Sequence, residues 1–441
     1  MHKKFYKAVL TFYFATLILF QGMSQELYFP PVTGDNWDTL SPNSLGWCND
    51  KIETLYDFLD SNNSKAFILL KDGKIVLEKY FGDFEQNDNW YWASAGKTIT
   101  AFMVGMAQQE NYLNIHDSTS DYLGEGWTAT TPEQEAQITI WHQLTMTTGL
   151  DDEVEEGICT LDTCLIYKAE PGTRWAYHNA PYTLLGNVIE NATGFTPNFY
   201  THQKLKVPTG MNGAFVDLGY NNVFFSNARS MARFGLLILN NGIWNGNTIM
   251  SDTAYFNQMI TTSQSINEAY GYLWWLNGKS SYMVPQTQLV FDGFLSPNAP
   301  PDMISALGMN GQILNVTPSE NMVWIRMGES PDGSLVPYML NDAIWEYVND
   351  LFCDAVSIPD KKSSESSVKL FPNPVSVSLM IESEMKIEWI KIYNMHGQII
   401  DRIEVMDLNA KLLFEHMIPG LYVVKVYFLN GQNSIRKIVK E

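Results

Sequence analysis

YWASAGKTITAFMVGMAQQ, Tyr91 to Gln109, is the stretch whose reading decides the fold. From Ser94 onward it is apolar almost all the way round, which marks a helix enclosed by the rest of the chain. Ser94 and Lys97 form S-x-x-K; three residues apart, they share one helix face, so an amine can touch a hydroxyl. The unpaired N–H groups and positive dipole end at a helix start favour negative charge on Ser94 Oγ. The same field, with burial, pushes Lys97 toward its neutral form; bringing a lysine from about 10.4 to about 7–8 corresponds to roughly 4 kcal/mol. The pair reads as a serine nucleophile with a lysine base. S-x-x-K recurs at Ser366/Lys369, Ser383/Lys386 and Ser434/Lys437, in polar or strand-like sequence with no buried helix behind it.

Outward from that helix the pattern alternates. LSPNSLGWCNDKIETLYDFLDSN predicts a helix ending near Asp60, and AFILLKDGKIVLEKYFG predicts two strands joined at Asp72-Gly73. A mostly helical region follows over 94–265, with helices over 138–150, closed by Gly149, and 226–242, closed by Gly242. Strand-type sequence returns over 270–278, 303–318 and 321–328, and a last helix ends at Phe352. This order predicts an α/β (α+β) fold: one antiparallel sheet flanked by terminal helices, with a helical subdomain inserted in its middle. The domain spans 25–355. A polar, low-complexity linker covers 356–367, and 368–441 reads as a small all-β sandwich.

The 441 residues carry a net charge of −20, which argues against a nucleic-acid partner. MHKKFYK, then AVLTFYFATLILF, then QGMSQ describe a secretory signal peptide over 1–24, with an apolar run shorter than the roughly 18–20 residues that span a bilayer. A retained N-terminal anchor is the alternative; no other stretch could cross a membrane. The four cysteines of an exported chain suggest two disulfides, with three pairings open. Cys159 and Cys164 are near enough to clip a loop, which would leave Cys48 and Cys353 to tie the ends of the domain together. The seven histidines show no metal spacing, so neither metal nor cofactor is implied.

A serine and a lysine need a proton carrier to the leaving group and donors for the oxyanion. PGTRWAYHNAPYTLLGNVIENATG offers Tyr177-His178-Asn179 between a Pro-Gly turn and an amphipathic helix, unlike the other Y-x-N matches at Tyr112, Tyr220 and Tyr347. ALGMNGQILNV reads as a strand with Gly308 and Gly311, where glycine marks close approach of a ligand or another backbone. In order and spacing, Ser94-Ala95-Gly96-Lys97, Tyr177-His178-Asn179 and Met309-Asn310-Gly311 resemble the penicillin-recognising serine hydrolases. The resemblance is to the class C β-lactamase branch, with D-alanyl-D-alanine peptidases, family VIII esterases and 6-aminohexanoate-dimer hydrolases, over roughly 30–355. It implies that Ser94 forms an acyl-enzyme and Lys97 accepts its proton. Tyr177 would relay a proton to the leaving group and later activate water. Asn179 would hold Lys97 and a substrate amide, and the N–H groups of Ser94 and Gln312 would form the oxyanion hole.

One departure sets the substrate class. The third motif of β-lactamases is usually Lys-Thr-Gly, whose cation and hydroxyl bind a substrate carboxylate; Met309 and Asn310 replace both. An anion buried there would lack its partner. The leading expectation is a serine hydrolase acting on ester or amide bonds of small, uncharged or peptide-like substrates. The alternatives are a β-lactamase or D-alanyl peptidase, and a non-catalytic binding homologue. His178 reads as a polar neighbour rather than a base. Trp274-Trp275 fits an apolar pocket or the core equally. LFPNP, IKIYNMHGQ, IPGLYVVKV and the basic IRKIVKE resemble the sorting domain of type IX secretion. That resemblance implies the type IX machinery as partner and a secreted or cell-surface location once the leader is cleaved.

Overall fold

The computed structural model describes residues 27–330, 334–353, 368–394, 399–429 and 433–440; the expected leader (1–24) and linker (356–367) lie outside them. Strands Ser64–Lys71 and Lys74–Tyr80 pair across Asp72-Gly73, whose φ of 51° and 81° suit a two-residue hairpin. The first of them also pairs with Met322–Gly328, Ile68 opposite Ile325, so the sheet is stitched from both ends of the domain. Beyond lie Gln312–Thr317, Ile304–Gly308 and Trp275–Leu276, completing a six-stranded antiparallel sheet.

Both faces of the sheet are covered, and Met322–Gly328 is buried at every position, without the alternation of a half-exposed strand. On one side Gly235 of helix Ala228–Leu239 sits against Val323 and Leu314, where a Cβ would leave no room. On the other, Trp324 meets Trp345 of helix Tyr338–Asn349, and Phe58 of helix Asn49–Ser61 stacks on Tyr347 at 4.3 Å. The terminal helices thus lie together, tied by Cys48–Cys353; Cys159–Cys164 clips the inserted region.

Four expectations change, the first being the strand-type stretch 270–278, of which only Trp275–Leu276 is strand. The stretch 303–318 is two strands folded about Met309–Gly311, where Asn310 (φ 63°) and Gly311 (φ 81°) take the left-handed conformation that Asn-Gly favours. The helix expected over 138–150 spans only Ile140–Leu144. Thr145 Oγ1 bonds back to Trp141 O, Met146 turns left-handed (φ 58°), and Gly149 serves a later turn. The helical insert also holds a small sheet, Trp90–Tyr91 with Asn221–Ser226 and Ala214–Leu218.

The C-terminal segment is all β, with strands Val368–Phe371, Ser378–Tyr393, Ile399–Leu413, Gly420–Phe428 and Asn433–Lys440 curling around their own core. Ile381, Ile390, Ile392, Val424 and Val426 lie in it. No helix among the described residues is long and apolar enough to cross a membrane.

Candidate active site

Ser94 stands on a sharp corner. The Trp92 N–H donates to Phe224 O at 2.8 Å, anchoring the chain to the small sheet, and Ala93 is then forced to φ 46°. A non-glycine residue held there costs about 1–2 kcal/mol, offset by the packing on both sides. The first turn, Ala93–Gly96, is a 3-10 helix, and the α-helix proper runs Lys97–Gln109. All of its residues from Lys97 to Ala107 are buried, as its uninterrupted apolar sequence requires.

Lys97 Nζ lies 2.8 Å from Ser94 Oγ. Only 4% of Lys97 is exposed, and burial pushes its amine down to about 7. Aromatic faces take the place of a carboxylate around it: Nζ is 4.3 Å from the ring centre of Tyr182 and 5.2 Å from that of Tyr177. Tyr177 comes from the segment before helix Asn179–Thr183 and stacks on Trp275 at 5.8 Å. Burial drives its phenol well above the ordinary value, with Ser94 opposing by hydrogen bonding and Tyr182 reinforcing. Ser94 and Lys97, one turn apart, therefore meet Tyr177 from a distant stretch of the chain.

The third motif moves by three residues. A Cβ on Gly308 would collide with Trp92 O and lie 2.8 Å from Ala95 N and 3.1 Å from Ser94 N, so this glycine lets the strand touch the corner carrying Ser94. Gly311 faces Arg326 and Leu340 instead. Gln312 is fully buried, with its side-chain amide bridging Gly328 O (2.6 Å) and Gly328 N (3.1 Å). This spacing favours the N–H of Met309, the residue after Gly308, over that of Gln312 as Ser94's companion donor. Before Gly308 stand Ala306 and Leu307, buried and apolar, where the β-lactamase pattern has lysine and threonine. Met309 itself is 40% exposed, and Asn310 donates through Nδ2 to the Tyr91 hydroxyl at 2.8 Å. The Asn310-Gly311 turn signal was the clue that would have set this register.

The other expected residues take humbler places. The half-buried Asn179 side chain makes no hydrogen bond to Lys97. His178 is buried and lowered to about 4 by burial, against the pull of Asp152 and Asp151, so it is neutral. Trp274 and Trp275 are core residues, the latter walling Tyr177. The acidic loop is largely paired, Asp152 with Arg174 and Asp151 with Lys168, each at 2.7 Å. Of the extra S-x-x-K matches, Ser383/Lys386 and Ser434/Lys437 lie on strands.

A buried S-x-x-K helix at the edge of an antiparallel sheet with a helical insert defines the active-serine class of β-lactamases and penicillin-binding proteins. The chain belongs to the β-lactamase family: the Beta-lactamase model matches residues 62–346, and the Secretion system C-terminal sorting domain model matches 369–441. The tail marks the chain for secretion or the cell surface. Solved structures with this fold include one described as a 6-aminohexanoate-dimer hydrolase from Bacillus anthracis, 18% identical, TM-score 0.54, covering 73% of this chain and 88% of its own. One described as a β-lactamase from Bacteroides dorei is 17% identical, with TM-score 0.56 and coverage of 69% and 98%. A family VIII carboxylesterase is 15% identical, with TM-score 0.51 and coverage of 68% and 98%. At these identities the likeness concerns the fold. No curated protein matches the chain.

Proposed function

We propose that this protein is an exported serine hydrolase that cleaves ester or amide bonds of uncharged substrates through an acyl-serine. The carrying observation is Lys97 Nζ at 2.8 Å from Ser94 Oγ, with the amine lowered to about 7 by burial. At neutral pH a large share of Lys97 is unprotonated and accepts the Ser94 proton as Oγ attacks the carbonyl carbon. The N–H groups of Ser94 and Met309 hold the resulting oxyanion. The Tyr177 phenol, protonated because burial raises it, gives its proton to the leaving oxygen or nitrogen as the bond to the acyl carbon breaks. Lys97 then returns its proton to Tyr177. In deacylation water attacks the ester carbon as its proton passes through Tyr177 to the neutral Lys97, and Lys97 gives that proton to Ser94 Oγ as the Oγ–acyl bond breaks.

Uncharged substrates fit because Ala306 and Leu307 offer no cation beside Gly308, and Arg174 and Lys168 are held by the acidic loop. The test is the intact mass of the protein after brief mixing with p-nitrophenyl butyrate or benzylpenicillin, with Ser94→Ala as control. A butyryl adduct that Ser94→Ala abolishes is expected. A penicilloyl adduct would move the protein to the β-lactam-recognising branch, and an adduct surviving in Ser94→Ala would remove the nucleophile assignment.

A further inference from the structure

The Met309–Gly311 turn is gripped from beneath. Gln312 Nε2 lies 3.3 Å from Met309 O and 3.4 Å from Asn310 O, and Arg326 Nη1 lies 3.1 Å from Asn310 O and 2.7 Å from Gly311 O. All three carbonyl oxygens of the turn thus receive side-chain donors. The rest of the guanidinium reaches the start of the sheet: Nε donates to Ser64 Oγ at 2.9 Å and Nη2 to Asn62 O at 2.5 Å. Arg326 is fully buried. Two glycines make its room, since a Cβ on Gly311 would collide with Nη1 and one on Gly328 would lie 2.7 Å from Nη2.

Burying a guanidinium is costly unless its donors are matched, and an apolar side chain like the flanking Ile325 and Met327 would fill the strand position more cheaply. What the guanidinium adds is directed bonds to the carbonyls of a tight turn: Gly311 O at 2.7 Å, and Asn310 O, which also accepts from the Ser330 N–H at 2.8 Å. The turn begins at Met309, directly after Gly308, the glycine that meets the corner carrying Ser94.

We infer that Arg326 is a positioning residue of the hydrolase: it pins the Met309–Gly311 turn so that the Met309 N–H stays beside that of Ser94. The inference rests on the acyl-serine reading, and Arg326 acts through the turn rather than on the substrate.

The full chain is compared with Arg326→Met and Arg326→Lys in p-nitrophenyl butyrate hydrolysis and in amide hydrogen exchange over 305–314. Arg326→Met should lower kcat by about 30- to 100-fold with KM within about threefold, the range for a misplaced oxyanion donor. Exchange over 305–314 should quicken by about tenfold or more while the helix Lys97–Gln109 keeps its protection. Arg326→Lys, still able to reach one carbonyl, should recover part of both. A folded Arg326→Met with wild-type kcat and wild-type exchange in the turn overturns the inference. If Arg326→Met does not fold, Arg326→Lys and Gly311→Ala carry the same readouts. A wild type that neither hydrolyses the ester nor takes an adduct counts against the acyl-serine reading, and the exchange result then decides alone whether Arg326 pins the turn.

Discussion

Lys97 is where function and stability pull against each other. Its amine is buried beside two phenol rings and lowered to about 7 by that burial. The unfolded chain keeps the lysine protonated up to its ordinary 10.5, whereas the folded protein releases that proton near 7. Between those values the unfolded state binds more protons, so stability rises with pH, and the cost of burial is fully felt at pH 7 and below. That cost is about 5 kcal/mol, an order-of-magnitude figure from 1.36 kcal/mol per pKa unit. Lys97→Met should therefore abolish hydrolysis and yet raise stability by a few kcal/mol at pH 6–7, less at pH 9 and hardly at all near pH 11. Denaturant unfolding at these pH values checks it; an equal effect at every pH would refute the assignment of burial as the cause. The companion kinetic expectation is a kcat/KM that climbs through about pH 7 and then levels, because Tyr177 stays protonated far higher.

The elements that matter most are a corner and a strand pressed together. Gly308 has an ordinary extended backbone (φ −131°), so alanine there would be unstrained but for its neighbours, Trp92 O and the nitrogens of Ala95 and Ser94. Gly308→Ala should cost about 1–3 kcal/mol of stability from overpacking and lower kcat/KM by about 100-fold by prising the strand from Ser94. Thermal unfolding and ester hydrolysis read the two effects; wild-type activity in this variant would exclude Gly308 as the contact. This contact shows where sequence reading succeeds and stops. Ser94, Lys97 and Tyr177 were legible because the chemistry demands those side chains and a buried helix has an unmistakable pattern. The hairpin and the terminal helices were legible from Asp72-Gly73 and from period. Position 312 was less so, because strand-type sequence runs on both sides of the turn, and only Asn310-Gly311 betrays it. The strands Ala214–Leu218 and Asn221–Ser226 form a hairpin about Gly219-Tyr220, a local signal that the helical reading of the insert passed over. Only their pairing with Trp90–Tyr91 is a tertiary contact that no local pattern carries.

On the scale of the whole molecule, the β-lactamase-family domain begins and ends at one place. The helices Asn49–Ser61 and Tyr338–Asn349 pack together, Cys48 N–H donates to Leu351 O at 2.8 Å, and Cys48 is bonded to Cys353 across a sequence separation of 305. The corner carrying Ser94 lies on other elements, so this bridge acts on the unfolded chain rather than on that corner. Closing so long a loop removes chain entropy worth about 5–6 kcal/mol at the upper end, against about 2 kcal/mol for the short Cys159–Cys164 clip. Paired replacement, Cys48→Ala with Cys353→Ala, should leave ester hydrolysis at 25 °C unchanged and lower Tm by roughly 10 °C or more. Cys159→Ala with Cys164→Ala should shift Tm by less than half as much, since only a six-residue loop is released. Scanning calorimetry of both pairs distinguishes the accounts. If the short clip proves the larger stabiliser, loop entropy is not what these bridges contribute, and the clip's hold on the loop ahead of Tyr177 becomes the better explanation.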